Sequence, residues 1–203
     1  MKTLSVILFL LISILSSAQT KKDIFNPDVP LVFLGADFSQ IQFTKAEEFN
    51  NKPEILRFFV DCNNLLQSRQ YEKFLKKRLR RDEIKTDYSY VTKNNESVEL
   101  EKVYSDNIDY SISDEGIQNM IKNLNIDQGL YKDHIGMVLC EENYSKTKTL
   151  GTVSIVFFDI DDLKPIIIKH YSCKPDGFGF LYYWSAINLQ AFNSLKKLYI
   201  ELK

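Results

Sequence analysis

The sequence predicts an α+β fold: an antiparallel sheet with a C-terminal β-meander, helices packed on both faces, and a long C-terminal helix. Three apolar runs, Ile135–Cys140, Thr152–Ile160 and Pro165–Tyr171, are joined by connections short enough for hairpins, so they predict neighbouring antiparallel strands. Each run is apolar at consecutive positions, which is typical of strands covered on both faces. The segment after them repeats apolar residues with helical spacing and predicts the closing helix.

Residues 1–18 have the pattern of a secretory signal peptide. Lys2 supplies an early positive charge, an apolar run follows, and the small residues Ser16 and Ala18 precede the expected cleavage position. The apolar run is shorter than the roughly 20 residues that a membrane span needs. We therefore expect cleavage after Ala18, a periplasmic or secreted protein, and no membrane span after cleavage.

The rest of the chain has the composition of one folded domain. Of the 203 residues, 44% are hydrophobic and 13% are aromatic, which is enough for a sizeable core. We expect residues 19–30 to be a flexible lead-in and residues 31–203 to form a single α+β domain. The formal net charge of −1 does not indicate nucleic acid as the main partner.

Apolar residues three or four positions apart predict four helices. These begin near Pro53, Tyr71, Asp114 and Tyr182, and Ser113 is the expected N-cap of the third. Alternating or apolar stretches predict further strands before the meander. These strands are Leu31–Leu34, Ile41–Phe43, and a hairpin formed by Thr86–Thr92 and Val98–Val103.

The second predicted helix has the most polarised surface, because its apolar residues share one side and the other side is basic. The candidate binding residues on the basic side are Lys73, Lys76, Lys77, Arg80 and Arg81. An anionic envelope component or a protein partner could bind there. The alternative is a solvated helix face whose charges are balanced by acids elsewhere in the fold.

A second set of residues predicts an alternative function, a small periplasmic hydrolase or lyase. Asp37 and Ser39 follow the first strand, His170 lies near the end of the third meander run, and Gly177 and Gly179 come shortly after it. These residues would form a cleft if the fold brings them together. Otherwise Asp37 and Ser39 are turn and cap residues, and the loop that contains the glycines closes the end of the core.

The known sequence patterns of catalysis and cofactor binding do not occur. The chain has no nucleophile elbow, phosphate-binding loop or dinucleotide fingerprint. Its two histidines, His134 and His170, form no ligand pair with helical spacing. We therefore predict no cofactor and no metal, assign no catalytic residue, and favour a non-enzymatic binding domain.

Three cysteines, Cys62, Cys140 and Cys173, leave the redox state open. One disulfide with one remaining thiol is possible, and the spacing does not decide whether any two of them pair. Cys62 and Cys140 lie on apolar stretches and are expected in the core. An exposed Cys173 with a depressed pKa would instead indicate a thiol-dependent protein.

Three short motifs together resemble a family of exported bacterial proteins of uncharacterised function. They are the turn Leu34–Ser39, the run Val156–Ile160, and Gly177–Phe180 followed by Tyr183 and Trp184. The resemblance covers roughly Leu31 to Leu195. It implies an α+β domain in the cell envelope or outside the cell, and it implies no catalytic residue.

Overall fold

The computed structural model of the chain describes residues 19–45, 47, 49 and 52–203, and the predicted signal peptide lies outside them. Within these residues the chain forms seven strands and five α-helices. The strands are β1 (Leu31–Asp37), β2 (Gln42–Thr44), β3 (Lys85–Thr86), β4 (Tyr104–Ser105), β5 (Ile135–Ser145), β6 (Leu150–Asp159) and β7 (Lys164–Cys173). The helices are α1 (Lys52–Leu66), α2 (Arg69–Leu79), α3 (Ser89–Glu96), α4 (Asp114–Asn123) and α5 (Phe180–Leu202).

The seven strands form one mostly parallel sheet that curves into a half-barrel. The pairings β1–β3, β1–β5, β2–β5 and β2–β4 are parallel. Only the pairings β5–β6 and β6–β7 are antiparallel among the strands described. The predicted antiparallel sheet is therefore wrong.

Strand β5 explains why parallel pairing predominates. Its first half pairs with β1, where Leu31 lies opposite Ile135, and its second half pairs with β2, where Gln42 lies opposite Asn143. The described part of the chain between β2 and β5 contains four α-helices, and parallel strands require such a long crossover. Periodicity within a strand does not reveal which distant strand will be its neighbour, so the sequence prediction missed this arrangement.

The three C-terminal strands do pair as a meander. Met137 of β5 lies opposite Phe157 of β6, and Val156 of β6 lies opposite Ile168 of β7. Strand β5 is buried along its whole length, whereas β7 pairs only with β6 and is half-exposed. The sheet is therefore well covered at its centre and open along its β7 edge.

Helices α4 and α5 cover opposite faces of the sheet. Lys169 of β7 forms an ion pair with Glu201 of α5 at 3.1 Å, whereas the next residue, His170, approaches Asp114 of α4 at 3.3 Å. Consecutive residues of a strand point to opposite faces, so the two helices lie on different sides.

The predicted hairpin over Thr86–Thr92 and Val98–Val103 is wrong. Most of its first half belongs to helix α3, and its second half contains a short 3₁₀ helix, Leu100–Lys102. The Asp87 carboxylate accepts hydrogen bonds from the backbone N–H and the hydroxyl of Ser89, at 3.1 and 2.6 Å, and so starts the helix. The helix buries two residues four positions apart, Val91 and Asn95.

Helix α5 closes the core as the sequence predicts. Its Trp184 ring stacks on Tyr144 of β5, with centroids 4.6 Å apart and planes inclined by 6°. At Gly151 of β6, a Cβ atom would lie 1.9 Å from Cδ1 of Ile187, so a side chain there would force the Ile187 side chain to move. The large apolar residues buried by α5 are Trp184, Ile187, Phe192, Leu195 and Leu198.

Candidate functional site

The predicted basic side of α2 is exposed over part of its length. Lys73, Lys77 and Arg80 are exposed, and Lys76 is half-buried and forms an ion pair with Glu72 at 2.7 Å. Among the residues that the structure describes, no ion pair joins the three exposed cations to an acid. We call Lys73, Lys76, Lys77 and Arg80 the α2 basic surface.

Arg81 has a different role, because it is only 5% exposed. Its guanidinium donates hydrogen bonds to the carbonyl oxygens of Asp23 and Ile24, at 3.0 and 2.8 Å, and also to that of Val29. Burial lowers the pKa of Arg81 to about 10. Arg81 therefore fixes the segment before β1 against the end of α2, and it is not available for a partner at the surface.

Asp37 and Ser39 form a local turn at the end of β1. Asp37 is buried, and its carboxylate accepts hydrogen bonds from the Ser39 N–H at 2.8 Å and from Asn94 Nδ2 at 3.2 Å. Burial raises the pKa of Asp37 above its ordinary value, although these hydrogen bonds oppose the shift. This geometry fits the turn role that the sequence left open.

Asp37 and His170 lie in one register row but far apart. Asp37 is opposite Cys140, Cys140 is opposite Ser154, and Ser154 is opposite His170. Three strand spacings of roughly 4.8 Å place the ends of this row about 14 Å apart. The structure therefore does not bring these two residues into contact.

Gly177 and Gly179 lie at the start of α5, on a different side of the molecule. Both have positive φ angles, 110° and 80°, and they present Phe178 with 96% of its surface exposed. Gly179 borders a cavity of about 350 Å³ together with Glu54 and Arg57 of α1, whereas His170 borders a separate groove. The alternative cleft of Asp37, Ser39, His170, Gly177 and Gly179 is thus distributed over separate places.

His170 instead belongs to a polar cluster that sequence analysis missed. Its Nδ1 atom lies 2.8 Å from Glu142 Oε1 and 2.8 Å from Ser154 Oγ, and its Nε2 atom lies 3.3 Å from Asp114 Oδ1. We call these four residues the His170 cluster. The strands β5, β6 and β7 supply three of them, and the first residue of α4 supplies the fourth.

Glu142 is the buried anchor of the cluster, with 1% of its surface exposed. Its Oε1 atom accepts a hydrogen bond from the Ser154 hydroxyl at 2.5 Å, and its Oε2 atom accepts one from the Ile112 N–H at 3.3 Å. A carboxylate surrounded by donors favours a proton on the facing nitrogen of His170. Hydrogen bonding to Glu142 is accordingly the largest cause that raises the pKa of His170.

The cluster contains a serine, a histidine and a glutamate but is not a nucleophilic triad. In a triad the serine and the acid bind different nitrogens of the imidazole. Here Ser154 and Glu142 both face Nδ1, and Ser154 has no exposed surface. Ser154 therefore orients Glu142, and the nitrogen left for chemistry is Nε2.

The Nε2 side of His170 borders a groove of about 420 Å³. The groove is lined by hydroxyl groups and by the start of α4, where the Ser113 hydroxyl caps the helix by accepting the Gly116 N–H at 3.1 Å. The Oγ1 atom of Thr152, which also lines the groove, is buried and has no hydrogen-bond partner in the described part of the chain. The groove thus combines a titratable nitrogen with an unused polar atom.

A sequence signal for this cluster did exist. Ser154 is a polar residue within an apolar strand, and Glu142 lies two positions after the apolar run that ends at Cys140. Polar residues at such positions need partners in the fold. The sequence does not show that Glu142 and Ser154 are partners, because a register shift between Glu141 and Asn143 brings the two residues together.

The three cysteines are free and buried. Burial raises the pKa of Cys62 and Cys140 well above the ordinary value, and raises that of Cys173 to about 11. A reactive thiol needs the opposite shift and access to solvent. The environment of Cys173 is therefore unsuited to thiol chemistry.

Within the residues that the structure describes, no group of three or more His, Cys, Asp or Glu side chains could hold a metal ion. None of the helices in this part of the chain is long and apolar enough to cross a membrane.

Comparisons with known proteins give no relative from which a function could be transferred. No family model matches the chain, and no curated protein and no solved structure matches it significantly. Its function therefore has to be inferred from the arrangement of its own residues.

Proposed function

We propose that the chain is an exported domain that binds an anionic component of the cell envelope through the α2 basic surface. The observation that carries this proposal is the exposure of Lys73 and Lys77 on α2, and of Arg80 directly after it, without an acidic partner among the described residues. Like charges held on one face without internal neutralisation attract a polyanion. The N-terminal sequence pattern supports a location in the periplasm or outside the cell.

Helix α5 extends the cationic face beyond α2. Arg78 of α2 donates a hydrogen bond to Asn193 of α5, and the Arg80 guanidinium lies 3.9 Å from the ring centroid of Tyr199. Lys196 is exposed and lies three residues from both Asn193 and Tyr199, so it shares the side of α5 that meets α2. Cations on two packed helices make a broader surface than one helix provides.

The rigidity of this surface also favours binding. The Tyr199 ring fixes the Arg80 guanidinium by a cation–π contact. The opposite side of α2 buries Leu75 and Leu79 in the core. Because the helix is held in place, its charges lose little conformational freedom when a polyanion binds.

Charge reversal tests the proposal. The triple variant Lys73→Glu, Lys77→Glu, Arg80→Glu should bind heparin-agarose, used here as an immobilised polyanion, at least about tenfold more weakly than the parent at low salt. Each basic residue near an anionic surface contributes about 1 kcal/mol, so three reversals exceed the 1.4 kcal/mol that corresponds to a factor of ten. Binding isotherms at several salt concentrations measure the effect, which should shrink as salt screens the charges.

A matched control removes the effect of net charge. The variant Lys93→Glu, Lys122→Glu, Lys132→Glu changes the net charge by the same amount at exposed lysines outside α2 and α5. It should retain clearly more binding than the α2 variant. Equal losses in both variants, or no loss in the α2 variant, would contradict the assignment of the binding surface.

The alternative function, a hydrolase or lyase with a cleft at Asp37, His170 and Gly177–Gly179, has less support. It required these residues to converge, but Asp37 is about three strand spacings from His170, and Gly179 borders another cavity. The binding proposal requires only the exposed face of α2, so no residues distant in the sequence have to meet. It is therefore the function that the geometry supports best.

A further inference from the structure

The His170 cluster lies on the face of the sheet covered by α4, away from α5 and its basic extension, and it points to a second activity. Its Nδ1 atom is fixed by buried Glu142, which Ser154 and the Ile112 N–H hold in turn. An imidazole anchored at one nitrogen by a carboxylate has a defined tautomer, and its other nitrogen can exchange protons even though the exposed Asp114 carboxylate lies 3.3 Å from it. That nitrogen is Nε2.

The groove beside Nε2 is large enough for a small ligand. Its volume of about 420 Å³ falls within the roughly 300–1,000 Å³ that is typical of small-molecule sites. His170 retains 42% of its side-chain surface, so the imidazole is accessible from the groove. Thr152 supplies a buried hydroxyl without a partner in the described residues, which could bind a polar group of a ligand.

We propose that His170 is a catalytic general base in this groove and that the chain hydrolyses a small, uncharged carboxylic ester. This activity goes beyond the envelope binding proposed above and does not depend on it. Glu142 and Ser154 are positioning residues, because they face Nδ1 and not the groove side of the ring.

The reaction needs only water as the co-reactant. Neutral His170 Nε2 removes a proton from a water molecule while the water oxygen forms a bond to the ester carbonyl carbon. The resulting tetrahedral intermediate then expels the alkoxide by cleavage of its C–O bond, and the imidazolium returns the proton to that alkoxide. The products are a carboxylic acid and an alcohol, and His170 is again neutral.

The charges around the groove select the substrate. Asp114 lies 3.3 Å from Nε2 and is 78% exposed on its side chain, so its carboxylate would repel an anion that approaches the reactive nitrogen. The remaining lining consists largely of uncharged hydroxyl residues, namely Ser111, Ser113, Thr152 and Ser172. A neutral ester with polar oxygens matches this lining.

Hydrolysis of 4-nitrophenyl acetate, followed by the release of nitrophenolate, tests the inference. The parent should show activity above the spontaneous rate, with kcat/KM rising with pH as His170 loses its proton. His170→Gln should lower kcat/KM by about a hundredfold or more, because a positioned general base contributes roughly 10²–10⁴-fold. His134→Gln, at the only other histidine in the sequence, should leave the activity unchanged.

A second variant keeps the test informative if His170→Gln does not fold. Asp114 is exposed, and it is among the causes that raise the pKa of His170. Asp114→Asn should therefore move the rising limb of the pH profile to lower pH. A purely structural role for the cluster would not move that limb.

Two ester substrates that differ in charge test the proposed selectivity. Methyl 4-acetoxybenzoate should be hydrolysed faster than 4-acetoxybenzoate, after each rate is divided by its spontaneous rate.

Activity that persists in His170→Gln, a parent without activity, or an unshifted profile in Asp114→Asn would overturn the catalytic assignment. Preference for the anionic ester would overturn the assignment of an uncharged substrate. Because the α2 basic surface is not altered by these variants, failure here is distinguishable from failure of envelope binding.

Discussion

Two residues that look equivalent in the sequence have opposite roles in the structure. Arg80 and Arg81 are consecutive and both belong to the predicted basic face, yet Arg80 is exposed and Arg81 is buried among backbone carbonyls. The difference arises because α2 ends at Leu79 and Arg80 adopts a left-handed conformation with φ 57°. That conformation turns the chain, so helical spacing no longer describes where Arg81 lies.

Residue-level chemistry also predicts a pH dependence of stability. The pKa of His170 is raised above its ordinary value of 6.5, mainly by hydrogen bonding to Glu142, and Asp114 adds to the shift. The folded state then holds its proton more tightly than the unfolded state. The stabilisation is fully present below pH 6.5 and is lost as the pH rises through the raised pKa of the folded state.

The measurement is the difference in unfolding free energy between the parent and His170→Gln, from urea titrations between pH 5 and 9. The parent should lose stability relative to the variant as the pH rises above 6.5. This difference isolates His170 from other groups that titrate nearby, such as Glu141, whose pKa burial raises to about 8. A difference that is independent of pH would show that His170 does not gain a proton on folding.

At the scale of elements, two asparagines complete the edge of β1. Asn63 of α1 accepts the Ala36 N–H at 2.8 Å and donates to the Ala36 carbonyl at 3.0 Å. Asn95 of α3 accepts the Phe38 N–H at 2.7 Å and also donates to the Ala36 carbonyl, at 2.9 Å. These side chains replace the neighbouring strand that short β3 does not provide, and they fix both helices to the sheet.

This arrangement predicts a large cost for Asn63→Ala. The substitution leaves the buried Ala36 N–H without a partner, which costs about 1–3 kcal/mol, and it removes one of the two side-chain donors to the Ala36 carbonyl. We expect a loss of roughly 2–4 kcal/mol in the free energy of unfolding, measured with a chemical denaturant.

The neighbouring Asn64 provides the control, because it is exposed on the same helix. Asn64→Ala should change stability by no more than about 0.5 kcal/mol. Similar effects for both variants would mean that helix propensity, not the bonds to β1, governs stability at this position.

The predicted helices were more accurate than the predicted strand pairings. The helix expected to begin near Pro53 is observed at Lys52–Leu66, and Ser113 caps α4 as expected. Helical periodicity depends on burial of residues three or four apart, which the sequence displays directly. Partner choice in a sheet depends on segments about a hundred positions apart, such as β1 and β5, and the sequence displays no comparable signal.

For the whole molecule, burial of all three cysteines decides a question that their spacing left open. Cys62, Cys140 and Cys173 are free thiols with raised pKa values, even though the sequence predicts an oxidising location. Because the thiols sit in the packed interior, they are protected from oxidants and alkylating agents by the stability of the fold.

Alkylation measures this protection. The native chain should react negligibly with iodoacetamide at pH 7.5 over a period in which the denatured chain is modified at all three cysteines. Intact mass spectrometry counts the modified sites before and after unfolding. An intact mass lower by two hydrogens would indicate a disulfide and would contradict free thiols. Modification of a cysteine in the folded chain would contradict their burial.

The positions of α1, α2, α4, α5 and the meander strands, and the apolar faces that they bury, follow from the sequence, because local periodicity reports burial. The mostly parallel order of the sheet and the meeting of Glu142, Ser154, His170 and Asp114 were decided by the tertiary structure. Those features depend on strand register and on a long crossover. The crossover forms because packing between residues distant in the sequence outweighs the entropy lost when the long loop closes. The sequence therefore determines the chemistry of each residue, whereas the tertiary structure determines which residues lie next to it.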